Sequence, residues 1–372
     1  PGAASVVDMK TIRQISPIGT QEMLENIPGI HAFSDDGIGN ARISIGIRGL
    51  NPRRSSRVLI LEDGIPIQPA LYVYPNMYYN PPVERIDGMQ VIKGSGSIKY
   101  GPQTMGGVIN YYTRRPKNEF AGDINLSIGE NGYQSLFTEI NTGGSSRFKN
   151  AYQLLYKSGN GFRENNGFKQ LNATFKSSFN YSKNKNLYLK LGINHENTNA
   201  TYTGLTEYSF YGRDDGSDCD GQYGCGNPKF NPKKDDNFNI DRFAIDVIET
   251  HRLSDNIQKT RKFFGSYFDR RWWRETDIFV SASDPTQELT NINLAQANYD
   301  DLIRIGNGES NFGVLRTFYV AGFEQAYKIK HTFLAPSEAE LGSRIYWERF
   351  IDDKKIGDAS NDRDGIYYYE GG

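Results

Sequence analysis

The sequence predicts a mostly β protein: a transmembrane antiparallel β-barrel sheet, partial, with about nine strands present, preceded by an N-terminal α+β domain. Three observations carry this. The 372 residues include 39 Gly, 24 Tyr and 21 Phe, a mixture that favours turns and strands over helices. Past residue 116 apolar residues recur at every second position, the period of a half-buried strand. The connections between these segments are sorted by length, with both long gaps following odd-numbered strands. No run approaches the ~18 apolar residues of a membrane-spanning helix, so any crossing would be made by strands.

A shift in the spacing of Gly, Pro and apolar residues divides the chain into residues 1–115 and 116–372. In the first part, residues 19–28 read as a short helix capped by Thr20, with Met23, Leu24 and Ile27 on one face and Pro28-Gly29 ending it. Short strands follow at residues 43–48, 58–61, 89–93 and 108–113. In the second part, strands centre near residues 120, 136, 150, 172, 188, 245, 264, 320 and 344, each about 10 residues long as in a barrel. Leu187, Leu189, Leu191 and Ile193 interleave with Tyr188, Lys190 and Gly192. Phe175, Phe243, Ile245, Leu341 and Ile345 obey the same rule, which puts them on a lipid-facing side and Lys176, Lys190, Asp246, Glu340 and Arg344 on the lumen side. The long gaps, 197–238 and 275–311, alternate with tight links at 182–185 and 253–256, an asymmetry of outer-membrane barrels. Trp272-Trp273, Tyr346-Trp347, Tyr152 and Tyr156 suit the membrane interfaces; the competing reading is a soluble sandwich with these rings in its core.

Lys+Arg 43 against Asp+Glu 44 leaves a net charge of -1, so no basic field draws nucleic acid. Cys219 and Cys225 lie in a polar stretch that favours a small loop disulfide, and with it an oxidising compartment, over two free thiols. The first residues lack the basic and apolar regions of a secretion signal, and the chain reads as mature or trimmed. Gly94, Gly96 and Gly101 do not have the spacing of a nucleotide-binding loop. Asp218-Cys-Asp-Gly221 and Asp362-Arg-Asp-Gly365 match only fragments of a calcium loop. The four histidines have no ligand spacing and no catalytic constellation stands out, so neither a metal site nor an enzyme is expected.

Five segments, Ile45-Gly-Ile-Arg-Gly-Leu-Asn-Pro52, Leu61-Glu-Asp-Gly-Ile-Pro-Ile67, Val83-Glu-Arg-Ile-Asp87, Val91-Ile-Lys-Gly94 and Tyr100-Gly-Pro-Gln-Thr-Met-Gly-Gly-Val-Ile-Asn-Tyr-Tyr-Thr113, together and in order resemble the plug domain of TonB-dependent outer-membrane receptors. Residues 66–82, Tyr100-Gly-Pro-Gln103 and residues 316–327 look most like the ferric citrate receptor branch. The resemblance implies a 22-stranded barrel in the bacterial outer membrane, surrounded by lipid and filled by the plug, with cargo captured outside and released when TonB, powered by ExbB and ExbD, pulls on an N-terminal TonB box. No such box is evident before Val6-Val7-Asp8 and about nine strands cannot close the barrel, so the chain reads as part of a longer polypeptide. A surface lipoprotein or signalling partner is left open.

The same resemblance implies a plug-barrel latch at Arg48 and Lys93, pairing with glutamates expected beyond Gly372. Lys93 stands where the family has arginine and cannot form a bidentate fork. Residues 51–56 and 67–80 correspond to apical loops facing external ligand, making Arg53, Arg54, Gln68, Tyr72 and Tyr74, with Arg316 from the barrel, the candidate substrate-binding residues. Arg270, Arg271 and Arg274 add barrel-side charge unless they are solvated strand-end residues. The leading expectation is transport of a ferric chelate, ferric citrate or a similar carboxylate siderophore, with no cofactor because iron arrives chelated. Uptake of a glycan, cobalamin or peptide, and a passive surface barrel or adhesin, are the alternatives.

Overall fold

The computed structural model describes residues 3–34, 42–144, 147–199, 203–213, 219, 222–290, 294–295, 301–333 and 335–371. The first unit runs β1 (Ala3–Asp8), α1 (Met9–Ile15), α2 (Thr20–Glu25), β2 (Ile30–Ser34), β3 (Ile43–Ile47), β4 (Val58–Glu62), β5 (Ile65–Pro66), β6 (Ile86–Lys93) and β7 (Gly107–Thr113). Five of its strands form a mixed sheet in the order β1-β6-β7-β4-β5, and β2 and β3 form a separate hairpin. The expected helix and four strands are present, whereas β1, β2, β5 and α1 are additions. Met23, Leu24 and Ile27 are buried as the helix face requires. The cap differs: Gly19 is the N-cap, and the Thr20 hydroxyl donates instead to the Pro81 carbonyl at 3.1 Å. Thr20 is thereby committed to holding α2 against the loop before β6.

The second unit is one ten-stranded antiparallel sheet in strict chain order: β8 (Phe120–Ile128), β9 (Gln134–Gly143), β10 (Phe148–Gly159), β11 (Phe168–Ser182), β12 (Lys185–Asn199), β13 (Asn237–Arg252), β14 (Ile257–Ser281), β15 (Leu302–His331), β16 (Ser337–Gly357) and β17 (Ile366–Tyr369). All nine expected centres fall within strands; β17, in the tyrosine run near the end, is the tenth. The length expectation fails from β11 to β16: β11, β12 and β13 have 15, 15 and 16 residues, and β14, β15 and β16 have 25, 30 and 21. These strands continue beyond the apolar zone, so the long connections shrink to 200–236 and 282–301. Both still lie on one side of the sheet, opposite the links at 183–184, 253–256 and 332–336.

Cross-strand register fixes which side chains share a face. Ala173, Ile193, Phe243, Tyr267 and Tyr319 form one outward row, and Phe175, Leu191, Ile245, Gly265, Ala321 and Trp347 the next. Ile193, Phe243 and Ile345 are 57%, 44% and 71% exposed, with no second sheet against them among the described residues, which removes the sandwich reading. The inward row Lys176, Lys190, Asp246, Phe264, Gly322 and Tyr346 instead meets the first unit. Glu340 is the looser member of the lumen set, half exposed and paired with Lys99 at 3.3 Å. The expected aromatic belt is split by the same alternation. Trp347, Tyr152 and Tyr156 face outward, whereas Trp272 points inward against Phe238 and Tyr346 packs on Tyr72.

This arrangement predicts the response to charge on the outer face. In the complete protein in bilayers, Leu191→Arg should cost about 2–4 kcal/mol of unfolding free energy, as for cations near the midplane of a barrel wall. A reversible denaturant titration checks this, and an unchanged stability would put Leu191 away from lipid.

Candidate functional site

Two groups of side chains join the first unit to the sheet. The lower one starts at the β4-β5 connection, where Asp63 and Gly64 both have positive φ, 54° and 78°, the requirement of a two-residue type I′ hairpin turn and the reason an Asp-Gly pair stands there. The turn carries Glu62 and Asp63 to the wall. Lys190 Nζ on β12 lies 2.9 Å from Glu62, 3.1 Å from Asp63 and 2.8 Å from Asp246 on β13. Glu62 also pairs with Arg85, which donates to Asn172 on β11. Asp63 accepts from the Thr113 amide at 3.0 Å and hydroxyl at 2.7 Å. Every charged member of this lock is nearly or fully buried, and a cavity of about 20 Å³ beside it is large enough for one water. Burial alone would raise the Glu62 carboxyl, but Arg85 and Lys190 outweigh it and hold it down at about 2. Asp63 is likewise held below the usual carboxylate range, with Lys190 and Arg115 overcoming its burial.

Further contacts run along the same seam. Lys157 pairs with Glu84 at 2.9 Å, Lys262 donates to the Gly64 carbonyl at 3.1 Å, and Arg344 donates to the Tyr100 carbonyl at 2.9 Å. Glu348 accepts from the amides of Tyr72 and Val73, each at 2.9 Å. Arg48 and Lys93 take no part in these pairs. Lys93 donates to the Pro28 carbonyl at 2.5 Å, and exposed Arg48 lies beside Gly94; neither pairs with a carboxylate among the described residues. The latch made by the described residues is therefore centred on Lys190, which the alternation placed in the lumen without a partner.

The upper group gathers around Tyr74 and Tyr78. Arg54 donates to the Tyr78 hydroxyl at 3.0 Å and stands over the Trp272 ring at 5.5 Å. Arg316 donates to the Tyr74 hydroxyl at 2.5 Å and pairs with Asp352 at 2.6 Å. Arg270 lies opposite Arg316 in the β14-β15 register, stacks on Tyr78 at 4.9 Å, and is fully buried. Its Nη2 donates to the Val314 carbonyl, while Nε and Nη1 have no hydrogen-bond partner among the described residues. Arg42 and Arg274 also stand over Trp272, each at 5.1 Å. Such guanidinium-aromatic contacts hold cations at a buried surface without neutralising them.

Of the expected ligand residues, the structure brings Arg54, Tyr74 and Arg316 together. Tyr72 is exposed and Arg53 is exposed at the turn before Arg54. Gln68 is buried and spans the loop, donating to the Val58 and Pro75 carbonyls, so it braces the plug backbone. Arg271 pairs with Asp269 at 2.6 Å, away from the group. Tyr78 and Arg42 were missed because nothing in their local sequence marks them; Arg270 was visible only as one cation in an arginine-rich strand. Cys219 and Cys225 form a disulfide. Asp218, Asp220 and Gly221 of the calcium-like fragment lie outside the described residues, and the described residues contain no cluster of three His, Cys, Asp or Glu side chains placed to hold a metal.

Residues 1–108 match the TonB-dependent Receptor Plug Domain family. The chain is 28% identical over 221 residues to the vitamin B12 transporter BtuB of Vibrio vulnificus strain CMCP6, covering 58% of this chain and 34% of that protein. It is 29% identical over 134 residues to the iron-regulated outer membrane virulence protein of Vibrio cholerae serotype O1 strain O395, covering 34% and 19%. Its fold superposes on the unliganded ferric citrate transporter FecA with a TM-score of 0.78 at 19% identity, over 99% of this chain and 51% of that one. The chain thus spans about a third or less of the curated relatives it matches and half of that solved structure. Residues 1–108 are thus a plug domain of the TonB-dependent receptor type, and it is docked on an antiparallel sheet that has the fold of a receptor's barrel wall.

Two outcomes follow from the lock. Lys190→Met leaves three buried carboxylates without their shared cation and should destabilise plug docking by about 3–5 kcal/mol, read as earlier thermal release and faster proteolysis of the plug; wild-type behaviour would show that the lock carries no load. Because the Glu62 carboxyl is depressed in the folded state, its contribution is complete above the ordinary carboxylate value of 4.5 and is lost as pH falls from there through about 2. Plug docking followed against pH should weaken in that window, and a constant docking strength down to pH 2 would contradict the assignment.

Proposed function

We propose that this chain forms the plug and part of the barrel of a receptor that takes up an anionic ferric chelate, ferric citrate or a similar carboxylate siderophore, with energy supplied by TonB, ExbB and ExbD. The observation that carries this reading is Arg270, a fully buried guanidinium beside Arg316 with two nitrogens that have no hydrogen-bond partner among the described residues, in a group where Asp352 is the carboxylate paired with Arg316. A buried cation in this state needs an anion within reach. Carboxylate oxygens on a compact chelate supply it through charge-assisted hydrogen bonds, and the tyrosine and tryptophan faces pack its organic part. Iron travels as cargo and needs no ligand from the protein.

The names of the relatives support both iron and vitamin B12 as cargo of this architecture. The excess of arginine favours the polyanion over cobalamin, a glycan or a peptide. Coupled transport favours a plug that leaves its seat, which separates this reading from a passive barrel or adhesin. Arg53, exposed at the tip of the same turn, and Tyr72 would meet the chelate as it arrives.

In the complete receptor, Arg270→Gln should weaken ferric citrate binding by about 1.5–3 kcal/mol, roughly 10- to 150-fold, with affinity falling as salt rises. Arg271→Gln, removed from the group, should change it little. Isothermal titration decides, and equal affinities for wild type and Arg270→Gln would exclude Arg270 from the site.

A further inference from the structure

The hydroxyl oxygens of Tyr74 and Tyr78 lie 2.7 Å apart, and the two rings stack with centroids 5.8 Å apart and planes within 6°. Each oxygen also receives a hydrogen bond from a guanidinium, Arg316 Nη1 to Tyr74 and Arg54 Nη1 to Tyr78. A phenol has one proton to donate. One proton satisfies the bond between the two hydroxyls. The second makes no hydrogen bond to an acceptor among the described residues: the groups that face the pair are mostly cations and rings, and the carboxylate among them is already engaged by an arginine. From the plug these groups are Arg54 and the Asn76 side chain; from β14, Arg270; from β15, Arg316 and Phe318; from β16, Phe350 and Asp352, whose carboxylate is engaged by Arg316; and from β13, Phe238. Arg42 stands behind, over Phe238 and Trp272.

We propose that Tyr74 and Tyr78 share a single proton, so that the pair is a phenol-phenolate anion that neutralises the arginine group in the ligand-free receptor and is protonated when an anionic ligand docks. The proton comes from solvent and forms the second O–H bond, so charge balances: the chelate brings negative charge and the pair gives up its own. Burial raises the Tyr74 hydroxyl, but Arg270, Tyr78 and Arg316 together bring it below the ordinary phenol value, while burial keeps Tyr78 raised. The proton therefore stays on Tyr78 and the charge on Tyr74, beside Arg316. Such a counter-anion explains how Arg54, Arg270 and Arg316 can stand together before ligand arrives. The ionised pair stands on the hydrogen-bond geometry alone; its displacement by ligand rests on the anion-uptake reading above.

The tyrosinate absorption band of the complete, ligand-free receptor tests the pair. Wild type should show one tyrosinate equivalent already present at neutral pH, ahead of the ordinary tyrosines that ionise near 10, and Tyr74→Phe and Tyr78→Phe should each lose it. Arg316→Gln, which keeps both phenols, should move the same band to higher pH, a shift that misfolding of a Phe variant cannot imitate. A band that titrates only with the ordinary tyrosines, or that is unchanged in the three variants, overturns the proposal. Calorimetry with ferric citrate in buffers of different ionisation heat then measures uptake of one proton per chelate bound and an affinity falling about tenfold per pH unit above the ionisation of the pair. Chelate binding without proton uptake would overturn the displacement step and leave anion uptake standing. An early tyrosinate band in a receptor that binds no ferric citrate would uphold the pair and remove the uptake reading.

Discussion

Burying charge in the space between plug and wall is the constraint on which the rest of this structure depends. A plug that fills a membrane pore must present polar edges and turns to a wall whose inner face is also polar, and each desolvated ion then needs a counter-ion in place. The lock meets this with an Asp-Gly turn that delivers Glu62 and Asp63 to the height of Lys190 and Asp246. Register matters for the same reason. A one-residue slip of β12 would send Lys190 to lipid and bring Leu189 or Leu191 against two carboxylates.

The upper part of the seam follows the same rule with a different result. Arg270 and Arg316 are cross-strand neighbours, Arg54 reaches them from the plug, and aromatic rings rather than carboxylates fill most of the space between. The lower seam is neutralised from within and holds the plug. The upper seam carries positive charge that the tyrosine pair or an incoming anion can neutralise. On the proposed reading, seating and capture are thus separated along one interface, with Glu348 and the Tyr72 and Val73 amides between them.

How much of this was legible in the sequence follows from what each feature depends on. The alternation of Leu187, Leu189, Leu191 and Ile193 is imposed by lipid on one face and plug on the other, so period two exposed the strands and their inward set directly. The strand ends were hidden because the outer face turns polar above the lipid, at His195, Asn197 and Asn199 on β12 and at Asn237, Asn239 and Asp241 on β13, while pairing continues. Short edge strands such as β1 offer too few residues for a period, and Thr20 resembled a cap until the Pro81 carbonyl was seen to hold its hydroxyl. The lock escaped because Lys190 and Glu62 are far apart in the chain and only the fold brings them together. Gln68 misled for a related reason: an amide on an apical loop looks available until the carbonyls of Val58 and Pro75 are found on it.

The most direct test of this division of labour is a structure of the complete receptor with ferric citrate bound. The account predicts an anionic oxygen of the chelate at hydrogen-bond distance from Arg270 Nε or Nη1, with Arg54 and Arg316 turned towards it and the Lys190 lock still closed. A chelate seated elsewhere, with Arg270 still held only at the Val314 carbonyl, would contradict it.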